Sequence, residues 1–187
     1  MDVRRVPADA DPAVVLMAEY MGEIERRLGA PFDRAQYPGP GPAELEPPHG
    51  LLLVAFDGDD PVACGAVRVI GPRVAEIKRM YVAPAGRGRG LGRMLLGELE
   101  RGAVELGCRT ARLDTMAAMA EAGALYRSAG YEPIADYNGN PLAAVWMERA
   151  LPAEYPVPGT GYSGPPTPAF RAGPGRGPRG RACGRRA

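Results

Sequence analysis

Between Val82 and Leu96 the chain reads Val-Ala-Pro-Ala-Gly-Arg-Gly-Arg-Gly-Leu-Gly-Arg-Met-Leu-Leu. Glycines let successive N–H groups curl round a small concavity. A helix that starts at its edge adds unpaired N–H groups and the positive end of its dipole. Such a junction binds anions, phosphate above all, and Arg87, Arg89 and Arg93 add charge there. A Walker A loop needs Lys-Ser/Thr after its glycines, and none follows. The dinucleotide fingerprint G-x-G-x-x-G fails from Gly86, Gly88 and Gly90, because its third glycine position holds Leu91, Arg93 or Leu95. What fits is R-x-x-G-x-G on Arg87, Gly90 and Gly92. A plain strand–turn–helix junction would carry these glycines only at a cost in stability.

The elements around this loop can be read in order. Val3–Val6 predicts a short strand. Asp11-Pro12 supplies an N-cap and a first-turn proline for a helix over 12–28, stopped by Gly29. Residues 29–49, rich in Pro and Gly, predict a long loop with a turn near Ala43–Leu45. Gly50–Phe56, Val62–Ile70 and Val74–Val82 read as an antiparallel meander, turning at Asp57-Gly58-Asp59-Asp60-Pro61 and Gly71-Pro72. Gly90–Leu106 is an amphipathic helix. Arg109–Thr115 is a strand that most simply runs parallel to Val74–Val82. An Ala-rich helix over Ala117–Ala129, a strand from Tyr131, a turn at Asp136–Pro141 and a last strand over Leu142–Arg149 complete the domain. The expected class is α+β with a mixed sheet: a meander, then a parallel β-α-β unit.

Composition divides the chain. Residues 1–151 carry a net −4 and form the expected domain. Residues 152–187 carry +5, with eight Gly and eight Pro among 36 residues, and predict a disordered basic tail. Cys64, Cys108 and Cys183 are isolated and His49 is the single histidine, which argues against a zinc site and fits a reducing cytoplasm. No apolar run approaches membrane length, and no signal peptide is visible.

Glu76-Ile77-Lys78-Arg79-Met80-Tyr81-Val82, the Arg87–Arg93 loop, Leu113-Asp114-Thr115 and Ala124-Leu125-Tyr126-Arg127-Ser128-Ala129-Gly130-Tyr131 follow one another in an order and at separations that resemble the GNAT family of N-acetyltransferases. The resemblance covers about residues 50–150 well and the first helix loosely. It implies a GNAT-like fold, with acetyl-CoA between splayed strands as co-substrate and an amine of a small molecule or peptide attacking it directly in a ternary complex. It also implies that residues 29–49 cover the acceptor. Backbone groups of Met80, Tyr81 and Val82 would pair with the pantetheine arm. N–H groups from Gly88 through Arg89, Gly90, Leu91 and Gly92 to Arg93 would hold the pyrophosphate, beside Arg87.

By the same resemblance Val82 N–H polarises the thioester carbonyl, Glu76 stands where some members place a general base, and Tyr126 matches the general acid. Under period-2 alternation Glu76 shares a face with Met80 and Val82, unless a bulge intervenes. Asp114, ending the adjacent strand, is the second candidate base, and a water chain the third. Met119 stands where many members carry Asn, seven residues before the Tyr. Two other readings stay open. One is an RNA-binding protein working through Arg-Gly segments, with the tail giving weak nucleic-acid contact. The other is a CoA-binding regulator without turnover. A homodimer is allowed; a membrane partner is not expected.

Overall fold

The computed structural model describes residues 1–31 and 39–155. Part of the predicted acceptor loop and nearly all of the predicted tail therefore lie outside the described residues. Among the described residues, seven strands form one sheet: β1 (Asp2–Arg5), β2 (Gly50–Asp57), β3 (Asp60–Gly71), β4 (Val74–Val82), β5 (Thr110–Thr115), β6 (Glu132–Ile134) and β7 (Val145–Ala150). Their order is β1-β2-β3-β4-β5-β7-β6, and the β4–β5 pair alone is parallel. The expected meander and β-α-β unit are both present. Three α-helices among the described residues flank the sheet: α1 (Asp11–Leu28), α2 (Leu91–Glu105) and α3 (Ala120–Ser128).

β2 is apolar throughout because both its faces are covered. Leu51, Leu53 and Ala55 join the core under α2, while Leu52, Val54 and Phe56 join the core under α1 and Leu45. From α2, Leu91, Leu95, Leu96, Leu99 and Ala103 make the other half of the first core, at helical spacing. Close approach of α2 to β3 needs Gly65, where a Cβ would sit 2.6 Å from Leu99 Cδ1.

The same alternation exposes an irregularity in β4. Ala75 and Ile77 belong to the α2 core, yet Tyr81 belongs to the α1 core, while Met80 and Val82 pack on the α2 side. The face changes because one extra residue is inserted. Ala66 of β3 stands opposite Lys78, but Cys64, two residues away, stands opposite Tyr81, three residues away. Arg79 absorbs the difference at φ +57, a left-handed conformation unusual for a residue with a Cβ.

Two elements start three residues later than expected. α3 starts at Ala120 rather than Ala117: Met119 N–H closes a turn on the Met116 carbonyl at 3.0 Å, and Met119 itself is non-helical at φ −108 and ψ 57. β7 starts at Val145 rather than Leu142, because Leu142 N–H donates to Asn140 Oδ1 and Ala144 N–H to the Thr115 carbonyl. Contacts continue past Leu151: the Tyr155 hydroxyl donates to Glu100, and Arg101 lies over its ring at 6.0 Å.

Candidate active site at the parted strands

After Val82 the chain makes one 3-10 turn, Pro84–Gly86, then passes Gly88 and Gly90, both left-handed at φ +75 and +77, into α2. A Cβ at either glycine would meet nothing within 4 Å, so the outer side of the loop is open. The first bond of α2 runs from Met94 N–H to the Gly90 carbonyl at 3.1 Å. The N–H groups of Leu91, Gly92 and Arg93 therefore have no intrahelical acceptor.

The arginine side chains turn back onto protein. Arg87 donates through Nε to the Val82 carbonyl at 3.0 Å and through Nη2 to Glu23. Arg89 pairs with Asp57 at 2.7 Å, and Arg93 donates to Ser128 Oγ at 2.5 Å. Burial draws the Glu23 carboxyl up, but hydrogen bonds from Arg87 and Arg27 outweigh it and hold the group below the usual glutamate range.

β4 and β5 pair only from Val74–Thr110 to Glu76–Arg112. Beyond that point they part, and two cavities open along the gap. One, of about 750 Å³, is walled by α1, β4, the end of β5 and residues 138–142. The other, of about 230 Å³, runs along Met80, Tyr81 and Val82 to Arg87 and Gly92. Met80, Met119, Tyr20 and Tyr126 line both. Backbone left unpaired at a gap of this kind can bond an extended ligand as an added strand would.

Side chains bridge the strands where the backbones part. Lys78 Nζ donates to Asp114 Oδ2 at 2.9 Å. Asn138 Nδ2 donates both to Asp114 Oδ2 at 2.7 Å and to Glu76 Oε1 at 2.9 Å. Asn140 Nδ2 donates to Asp114 Oδ1 at 2.7 Å. Trp146 Nε1 donates to Asn138 Oδ1 at 2.9 Å, which fixes the amide so that its donors face the two carboxylates.

The expected sharing of a face by Glu76, Met80 and Val82 does not occur, because the bulge at Arg79 intervenes. Met80 and Val82 continue the face of Ala75 and Ile77, whereas Glu76 lies on the other side. Glu76 is 0% exposed and is not among the cavity residues. Arg68 donates twice to its Oε2, at 3.1 and 2.7 Å, and Tyr137 donates to Oε1 at 2.9 Å. With Asn138 also on Oε1, its lone pairs are taken, and a proton could reach it only by displacing one of these donors. Asp114 does line the large cavity, with a side chain 10% exposed, though three donors already reach it.

Tyr126 projects from α3 to the junction of the two cavities, and burial pushes its phenol well above the ordinary value. Tyr20, from α1, lies at the same junction and is pushed up to about 12, chiefly by burial. Met119 also sits there, so a thioether stands where the resemblance leads one to expect an amide.

The structure thus brings together Met80, Val82, Tyr126 and Asp114 around one opening, with the glycine loop at its end, and sets Glu76 behind it. Sequence reasoning missed Arg68, Tyr137, Asn138, Asn140 and Trp146. Asp136-Tyr137-Asn138-Gly139-Asn140-Pro141 reads as turn chemistry, and Asp136 Oδ1 does accept the N–H groups of Asn138 and Gly139 as such a turn requires. The further use of both amide side chains leaves no mark in sequence.

Comparison with known proteins shows the family and the fold. The family model described as Acetyltransferase (GNAT) family matches residues 16–131. An uncharacterized N-acetyltransferase of Schizosaccharomyces pombe is 34% identical over 149 residues, spanning 78% of this chain and 90% of the relative. An IAA acetyltransferase of Azospirillum brasilense is 33% identical over 143 residues, spanning 74% of this chain and 91% of the relative. A solved acetyltransferase of the GNAT family from Staphylococcus aureus has the same fold, with a TM-score of 0.66 at 15% identity over 81% of this chain and all of that one.

Proposed function

This chain belongs to the GNAT acetyltransferase family, and from that premise we propose that it moves the acetyl group of acetyl-CoA directly onto a primary amine held in the large cavity. The observation that carries the reading is the parting of β4 and β5 after Glu76–Arg112. The gap has an open glycine loop at one end and Tyr126 at its centre. N–H groups from Gly88 to Arg93 hold the pyrophosphate. The backbone of Met80, Tyr81 and Val82 pairs with the pantetheine arm. Arg87 then has to release the Val82 carbonyl if a pantetheine amide is to use it.

The amine nitrogen attacks the thioester carbonyl carbon, the C–S bond breaks, and the sulfur leaves as a thiolate with the bonding pair. Val82 N–H faces the carbonyl oxygen as it gains charge. Asp114, the carboxylate at the cavity wall, draws the acceptor ammonium, and its proton passes to solvent rather than to Glu76. Tyr126 stays protonated across the working range and donates a hydrogen bond to the thiolate. A raised phenol gives little drive for complete transfer, so solvent supplies the final proton.

Thiol release from acetyl-CoA, with and without a panel of amines, tests the reading. Tyr126→Phe keeps the ring and removes the hydroxyl. It should lower kcat by about 10²-fold and leave the acetyl-CoA Kd within a few fold. Unchanged turnover with chemistry rate-limiting would make Tyr126 a packing residue.

A further inference from the structure

We propose that the acceptor is a small amine with a single positive charge on a bulky apolar body, selected by methionine side chains on α1 and on the turn before α3. The inference rests on the reading of this site as an acetyltransferase's and names the acceptor class.

Met17, Tyr20, Met21 and Ile24 stand at i, i+3, i+4 and i+7, a single face of α1. A face with that spacing ordinarily closes against core, and Ile24 is indeed buried. Here all four also border a cavity of about 750 Å³. Met116 and Met119 border it from the far side, and Met80 from the sheet between. Five of the eight methionines in the chain thus line one cavity. Methionine is unbranched and polarisable, so such walls close on apolar or aromatic groups of irregular shape, while the cavity's two amides, Asn138 and Asn140, are committed to Asp114.

Charge restricts the acceptor further. Among the described residues lining the cavity, Arg68, Lys78 and Arg79 are cations and Asp114 is the single carboxylate. Glu76 and Glu44, which pair with Arg68, are not lining residues. One ammonium can approach Asp114 beside Lys78. A second positive charge on the same molecule would face three cations and, among the described lining residues, find no further carboxylate. Polyamines, aminoglycosides and lysine-rich peptides are therefore the wrong class, while 2-phenylethylamine and leucine amide are representatives of the right one.

Two readouts test this on the full chain. Trp146 is the single tryptophan, and its indole N–H bonds to Asn138, a cavity residue. Its fluorescence therefore reports amine binding, without turnover, in the presence of CoA. Thiol release then gives kcat/KM for 2-phenylethylamine, leucine amide, glycine amide and spermidine. The apolar amines should exceed glycine amide and spermidine by about tenfold or more, the scale of one or two methylene contacts in an apolar pocket. Replacing Met17 and Met21 together by Ser should cost 2-phenylethylamine about tenfold and narrow its lead over glycine amide. The Met17→Leu, Met21→Leu pair should restore that lead, which separates specificity from folding. Glycine amide or spermidine matching the apolar amines would overturn the acceptor class and leave acetyl transfer standing. Tight acetyl-CoA binding by calorimetry, with no amine raising thiol release above hydrolysis, would defeat amine acetylation itself and this inference with it.

Discussion

Removing the Glu76 carboxylate separates a scaffold from a catalytic base. The group is wholly buried and holds four hydrogen bonds, two from Arg68 and one each from Tyr137 and Asn138, with Lys78 Nζ a further 3.4 Å away. In Glu76→Ala the Tyr137 hydroxyl and one Asn138 amide hydrogen lose a buried acceptor, at about 1–3 kcal/mol each. Arg68 is cushioned, because it is 26% exposed and keeps Glu44 at 3.0 Å. The total, about 3–5 kcal/mol, is the range for breaking a buried ion pair from one side. It is a large share of the roughly 5–15 kcal/mol that holds a domain folded. Glu76→Gln keeps an oxygen for Tyr137 and Asn138 but turns an amide donor towards Arg68, and about 2–3 kcal/mol is expected. Urea unfolding at pH 7, with unchanged m-values, measures both. Turnover of Glu76→Gln, taken well below its Tm, should fall less than tenfold. A stability loss under about 0.5 kcal/mol with kcat down by about 10²-fold or more would refute the argument and make Glu76 the base.

Gly90→Asp places a Cβ in open space at φ +77, so the fold should lose only about 1–2 kcal/mol while acetyl-CoA binding is abolished; unchanged affinity by calorimetry would remove the pyrophosphate from this loop. Burial raises Tyr20, Tyr126 and Tyr137, so the folded state keeps protons that the unfolded chain gives up near pH 10. Their contribution is complete below about pH 10 and is lost as pH rises beyond it. Tm should fall between about pH 10 and 11, less steeply in Tyr126→Phe, and equal slopes would count against the burial of Tyr126. Glu23 runs the other way, its stabilisation present above about pH 4.3 and lost on acidification, so Glu23→Gln should flatten the acid limb of the Tm profile. A chain ending at Leu151 lacks the Tyr155 hydroxyl on Glu100; it should melt about 2–4 °C below one ending at Tyr155, and equal melting would make that contact inconsequential.

What could be read from sequence was what local chemistry writes. The glycine junction, the Asp57-Gly58 hairpin and the limits of Val74–Val82 each follow from residues within a few positions of one another. Contacts between distant elements were less legible. Arg68 reaches Glu76 across a strand pair, and Asn138 reaches two carboxylates from a loop more than twenty residues beyond either. The three arginines of the loop suggested a cationic comb, but their side chains answer to Glu23, Asp57 and Ser128. Nothing local sets Tyr20 apart within the helix over 12–28, and only the packing of α1 over the gap brings it to Tyr126. A bulge in this strand was allowed for, but its place could not be read, because a left-handed Arg79 has no compositional signature.

That bulge governs how the strand tolerates insertions and deletions. With Arg79 present, Ile77 and Met80 share a layer and Tyr81 is delivered to the opposite one. Pairing Arg79 as an ordinary strand residue, with no bulge, would impose strict alternation and exchange the layers of everything after it, as far as the glycine loop. Tyr81 would enter the core under α2, and Met80 and Val82 would leave it. Deleting Arg79, by contrast, removes the extra residue and leaves Met80, Tyr81 and Val82 in their present layers. In this stretch the backbone conformation of one residue, rather than the count of residues, decides which core each later side chain enters.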